Sequence, residues 1–106
     1  RPMATDLSVV GQGKPAAVLV YENFAPGSTE ALERLKQVRS DYEERLEFVV
    51  ADLGTPQGRA FARRHGIVAG QVLFLQPDGQ ARRATAIPAD APALRALLDR
   101  QLAAME

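Results

Sequence analysis

A mixed α/β sandwich, a thin sheet of about four strands with helices on both faces, is the fold class that three features of this chain predict. Two nearly continuous apolar runs, Ala16–Tyr21 and residues 46–53, read as strands buried on both faces, and a helical repeat lies between them. A third apolar run at 71–76 is followed by Pro77, Asp78 and Gly79, a strong turn signal, and then by the more polar stretch Ala81–Ala86. A last helical repeat closes the chain. The order strand, helix, strand, helix, strand, strand, helix gives a parallel pair joined by a crossover helix, followed by a hairpin.

Taken in order, residues 1–13 read as a lead-in and 14–106 as a single domain. Residues 1–5 look loose. Asp6 is placed to cap a short helical or extended piece through Val10, which Gly11, Gln12, Gly13, Lys14 and Pro15 break. After the first strand and a Pro26-Gly27 turn, Ser28 or Thr29 is placed to cap a helix to about Tyr42, with Glu30 in its first turn near the positive end of the helix dipole. Leu32, Leu35, Val38, Arg39 and Tyr42 share one side of that helix, and only Arg39 departs from an apolar stripe. Phe48, Val49, Val50 and Ala51 form the middle of the second strand. Pro56 and Gln57 open a second helix, and Gly66 suits the left-handed position just past its end. Arg82 and Arg83 mark the last strand as an edge in contact with water. The final helix starts near Asp90, tolerates Pro92 in its first turn, and presents Leu94, Leu97, Leu98, Leu102 and Met105 at helical spacing.

Composition excludes several function classes. The chain has 106 residues, enough for one core without metals or disulfides, and 13 basic residues balance 13 acidic ones. No excess positive charge points to nucleic acid or an anionic membrane, and the pairs Arg63-Arg64 and Arg82-Arg83 are too short to form a tract. No apolar run approaches the roughly 18 to 20 residues that span a bilayer. There is no cysteine, which excludes a disulfide framework, an iron-sulfur site and a thiolate zinc site. His65 is the single histidine, so a histidine metal cluster is excluded too; neither metal nor cofactor is expected. The chain opens with Arg1 and Pro2 rather than Met, as after removal of a signal peptide or excision of a domain, and a periplasmic or otherwise exported location is favoured over the cytoplasm.

Gly13, Lys14 and Pro15 before the first strand, Ala51 and Asp52 closing the next, the segment 62–67, and the Pro77-Asp78-Gly79 turn resemble, in order and spacing, the thioredoxin superfamily over residues 14–102. The resemblance implies a thioredoxin-like three-layer sandwich. It places Phe24, Ala25, Pro26, Gly27 and Ser28 where a thioredoxin carries Trp-Cys-Gly-Pro-Cys, so Ala25 and Ser28 take the two cysteine positions. The approach from Val20 is shorter than in thioredoxin, and the cysteines are missing in any register. At the family's cis-proline position stands Gln71, with no proline between Pro56 and Pro77. A cis bond before a non-proline residue costs about 2.5 to 4 kcal/mol, so Gln71 is expected to be trans.

Thiol-disulfide exchange needs a thiolate, and neither the Ala25 methyl nor the Ser28 hydroxyl supplies one. The leading expectation is therefore a redox-inactive module, not an enzyme, that binds a protein or peptide or acts in a chaperone-like way, as members of the superfamily without the full cysteine pair do. Ala25, Pro26, Gly27, Ser28 and Gln71 are then degenerate active-site positions, and Phe24, Val68, Ala69 and Gly70 the binding surface. A second reading is an oxidoreductase whose cysteines were replaced by Ala25 and Ser28, which leaves Gln71 unexplained. A third is a structural or assembly domain of a larger protein, self-associating through the final helix or the edge Ala81–Ala86. A monomer or weak homodimer is expected.

Other motifs carry less. His65 sits with Arg63 and Arg64 in the last turn of a helix, where it reads as a helix-end group rather than a general base. Ser28 has no base nearby in sequence to make it a nucleophile. Gly11-x-Gly13 precedes a strand and lacks the remainder of a phosphate loop, so it reads as a turn. Glu22 and Asp52 fall near the C-terminal ends of parallel strands and read as turn caps rather than a catalytic pair. Asp41, Glu43, Glu44, Arg45 and Glu47 read as a solvated helix end and loop.

Overall fold

A computed structural model describes residues 2–106. Its strands are β1 (Ala16–Tyr21), β2 (Glu47–Asp52), β3 (Gln71–Leu75) and β4 (Ala81–Ala86), and its helices α1 (Pro26–Val38), α2 (Pro56–His65) and α3 (Ala91–Met105). The sheet order is β2-β1-β3-β4. β1 runs parallel to β2 and antiparallel to β3, and β3 and β4 form the hairpin. This is the element order that the hydrophobic pattern predicts.

Continuous apolar strands make sense because both sheet faces are covered. With side chains alternating along each strand, Ala17, Leu19, Phe48, Val50, Val72 and Phe74 pack with the helix residues Leu35, Val38, Leu94, Leu98 and Leu102. On the other face Val18, Val20, Val49, Ala51, Leu73 and Leu75 pack with Ala62 of α2 and with Ile67. Every one of the five apolar positions read on the last helix is buried: Leu94, Leu97, Leu98, Leu102 and Met105. That face of α3 is used inside the core and is not available for self-association.

Local signals explain the element ends. Thr55 caps α2, its hydroxyl accepting from the Gly58 amide at 3.0 Å, and Gly66 ends that helix in the left-handed conformation at φ 66°. Asp90 caps α3 by accepting from the Ala93 amide at 2.8 Å. Asp6 accepts from the Ser8 amide and opens a short 3-10 turn at Leu7–Val9. The hairpin closes with the Gly79 amide donating to the Gln76 carbonyl at 2.8 Å.

Five expectations are corrected. α1 begins at Pro26, with Ala25 in the capping position and no side-chain cap, so neither Ser28 nor Thr29 caps it. It ends at Val38, and a 3-10 turn at Arg39–Asp41 continues towards Tyr42. Glu30 lies beyond the first turn and pairs with Arg34 one turn on, at 3.8 Å. The lead-in is not loose where it is described: Met3 is buried in the core, and the Val50 amide donates to the Ala4 carbonyl at 2.9 Å. Arg39 secures this segment, its Nη1 donating to the Pro2 carbonyl at 3.4 Å, which accounts for the one charge on an apolar stripe. The charged run 41–47 is partly tied down: Arg95 meets Asp41 at 2.6 Å, and Lys14 reaches the Glu43 carbonyl at 2.7 Å and Glu47 at 3.3 Å. Arg1 lies outside the described residues.

Candidate functional site

Two loops meet at the C-terminal end of β1, an inner strand of the sheet. The first leaves β1 after Tyr21 and turns at once, the Ala25 amide donating to the Glu22 carbonyl at 3.1 Å. Phe24 occupies the third position of this turn with φ 70°, the only positive φ at a non-glycine residue among those described. Its side chain is 93% exposed. A bulky residue in left-handed backbone is strained by about 1–2 kcal/mol, and here burial returns none of it.

Ser28 has the opposite character. It is 1% exposed, the one polar residue buried among those described. Its hydroxyl donates to the Glu22 carbonyl at 2.8 Å, lies 3.1 Å from the Ala25 carbonyl, and accepts from the Glu22 amide at 3.1 Å. It clasps the start of α1 to the end of β1. A hydroxyl engaged in this way is no free nucleophile.

The second loop, between α2 and β3, is closed by its own residues. Gln71 donates its amide to the Val68 carbonyl at 3.1 Å, and its side-chain Oε1 accepts from the Val68 amide at 3.1 Å. All described peptide bonds are trans, Gln71 included. Gly70 has φ 92°, and its amide donates to the Val20 carbonyl at 2.8 Å, anchoring the loop to β1. A Cβ built on Gly70 would lie 3.9 Å from the Gly27 backbone carbon and 4.0 Å from the Ser28 nitrogen, so the two loops abut. Val68 is 63% exposed. Phe24 and Val68 are the exposed large hydrophobic residues among those described, and they lie on these two neighbouring loops.

The structure thus brings Ala25, Pro26, Gly27, Ser28, Gly70 and Gln71 to one end of the sheet, with Phe24, Val68 and Ala69 on the same two loops. The other candidates lie apart or are occupied. Asp52 accepts from the Gly54 amide at 2.8 Å, a turn cap, and the backbone of Glu22 is engaged by Ser28. His65 rests against Phe61, ring centroids 4.5 Å apart, and burial, then Arg64, hold its imidazole below the ordinary pKa. Gly11 and Gly13 have positive φ and form a turn against the hairpin, the Gly13 amide donating to the Pro77 carbonyl at 3.0 Å. No group of three or more metal-ligating side chains occurs among the described residues, and no helix there is long and apolar enough to cross a membrane. Sequence reasoning missed the clasp made by Ser28 and the loop closure by Gln71. The Ala69-Gly70 pair ahead of a strand was the available signal for the second.

A four-stranded mixed sheet with two helices on one face and one on the other, and with its loop pair at the end of β1, defines a thioredoxin-like fold. Comparison with solved structures bears this out. An uncharacterized thioredoxin-like protein from Clostridium perfringens superposes with a TM-score of 0.76 at 15% identity, over 93% of this chain and 79% of that one. Thioredoxin from Fasciola hepatica gives 0.69 at 16% identity, covering 86% of this chain and 84% of its own. Trxlp from Edwardsiella tarda EIB202 gives 0.67 at 18%, covering 83% and 84%. No protein-family model and no curated protein matches the sequence. The chain has the thioredoxin-like fold and no cysteine, so it holds no thiol-disulfide couple.

Proposed function

We propose that this chain is a redox-inactive thioredoxin-like module that binds an extended or unfolded polypeptide through the loops carrying Phe24, Val68, Ala69 and Gly70. The observation that carries this reading is Phe24: strained in its backbone and 93% exposed, it contributes nothing evident to the fold. Val68 adds a second exposed apolar group on the adjoining loop, and exposed apolar groups on neighbouring loops are what the apolar side chains of an extended chain engage. Gln71 with its trans bond leaves this surface without the family's proline, in keeping with binding that differs from that of an oxidoreductase.

Insulin reduced by dithiothreitol tests the reading, because the two functions move the signal in opposite directions. An oxidoreductase speeds the appearance of turbidity, whereas a binder of unfolded chains delays it. The wild-type chain is expected to delay it, and Phe24→Ala with Val68→Ala to lose most of the delay while keeping the wild-type unfolding midpoint. No delay by wild type, or an undiminished delay by the double variant, would sink the proposal.

A further inference from the structure

The two outer strands of the sheet differ. β2 has part of its outer edge covered by the chain itself, through the bridge between Ala4 and Val49. β4 has β3 on one side and, among the described residues, no strand on the other. Such an edge offers backbone donors and acceptors to an incoming strand.

The edge carries charge of one sign. Arg82 and Arg83 are both exposed, and neither is paired with a carboxylate among the described residues. Arg82 Nε donates to Gln101 Oε1 at 2.9 Å, which fixes its guanidinium beside α3 and leaves its outer N–H groups open. Next to the strand is a cleft of ≈ 510 Å³ lined by Gln76, Gln80, Ala81, Arg82, Arg83 and Gln101, with no carboxylate in its wall. The chain as a whole is neutral, so this is a local concentration of cations.

We infer that the β4 edge accepts an acidic extended segment of another polypeptide as a fifth strand, its carboxylates meeting Arg82 and Arg83 and its polar side chains meeting the glutamine amides. Charge selects this occupant over a second copy of the chain. Pairing β4 with itself would bring four arginines onto one seam without an anion, whereas an acidic strand finds two forked donors. Arginines on an edge repel pairing in general, and an acidic partner reverses that sign.

The test uses the whole chain and a fluorescent peptide of about eight residues, an ordinary strand length, alternating Glu and Thr, with a Lys-Thr peptide as control. Anisotropy should report binding of the Glu-Thr peptide alone, weakened by added salt. Arg82→Gln with Arg83→Gln should weaken it about tenfold. Arg83→Gln by itself, which disturbs no hydrogen bond, should give part of that loss at an unchanged unfolding midpoint. Hydrogen exchange should show amides of Ala81–Ala86 gaining protection on binding, with those of Phe24, Val68 and Gly70 unmoved. Equal binding of both peptides, binding without protection in β4, or no binding would overturn the inference. So would β4 protection that grows with protein concentration in the absence of peptide, since a second copy would then hold the edge.

Discussion

Replacing Ser28 with alanine removes one hydroxyl and leaves one backbone group, the Glu22 amide, without a partner. The Glu22 amide loses its acceptor at 3.1 Å, and the Glu22 carbonyl loses the shorter of its two bonds, at 2.8 Å, keeping the Ala25 amide as a donor at 3.1 Å. The Ala25 carbonyl is less affected, because the amides of Ser28 and Thr29 still donate to it at 3.1 and 3.2 Å. A net hydrogen bond contributes about 1 kcal/mol and an orphaned buried group costs about 1–3 kcal/mol. Water reaches Glu22, an exposed residue, so the expected loss for Ser28→Ala is about 1–3 kcal/mol rather than the full sum. In a domain of this size each kcal/mol lowers the midpoint of thermal unfolding by about 4–8 °C. Urea unfolding followed by circular dichroism is the assay, with a shifted midpoint and an unchanged slope as the expected pattern. Thr29→Ala is the control: its hydroxyl is exposed, only 3.3 Å from the Ala25 carbonyl, and should change stability by less than about 0.5 kcal/mol. If Ser28→Ala proved as mild as Thr29→Ala, the clasp would not be what joins α1 to β1. The same reasoning bears on Ala25→Cys with Ser28→Cys. A thiol is a weak donor and acceptor, so that variant carries a similar deficit, and its activity in the insulin assay is interpretable only beside its measured stability.

Two glycines should respond in opposite directions. A Cβ on Gly58 would run into the Asp52 backbone carbonyl and come within 2.6 Å of the Asp52 nitrogen, so Gly58→Ala should cost about 2–3 kcal/mol or prevent folding. Gly27 has open space at that point and negative φ, so Gly27→Ala should stabilise by about 0.4–1 kcal/mol; a loss there would contradict the α1 start at Pro26. For His65, burial and then Arg64 lower the folded-state pKa below 6.5. The unfolded chain therefore binds the proton more readily, and the contribution of neutral His65 is fully present above about pH 6.5 and lost as pH falls through the lowered value. An NMR titration should place the imidazole below 6.5, and wild type should lose more stability than His65→Gln between pH 8 and pH 5; equal losses would refute this.

Much of the architecture was legible because the signals that specify it are local and agree with one another. β1 and β4 were bounded correctly by composition and turn residues, and the buried positions of α3 by helical spacing. The start of α1 was misread for a physical reason. Ser28 has the side chain of a good cap, yet Pro26 already supplies the φ of a first helical residue, and the hydroxyl is then deep enough to bond backwards to Glu22, the residue after β1. The packing of Met3 and Ala4 was not legible, because two residues that reach β2 across the chain leave no periodic trace. Nor was the left-handed Phe24: nothing in a phenylalanine signals positive φ, and the turn residue Asn23 sits one place too early for it.

Within the candidate site, the positions that would bear chemistry in a relative and those that face outward have separated. Ser28 is enclosed by backbone partners and Gln71 holds its own loop shut, so both side chains serve the fold. A Ser28→Cys change would therefore oppose local stability, and the side chain of Gln71 would have to be released before that loop could adopt another form. Phe24 and Val68 are under no such internal demand. A strained backbone that buries nothing at Phe24 is unfavourable to the free chain, and binding is the one process in which its exposed ring can return that energy. The proposed function thus depends on the side chains that the fold does not use, and it predicts that variants of Phe24 and Ser28, four residues apart in the sequence, separate cleanly into effects on binding and effects on stability.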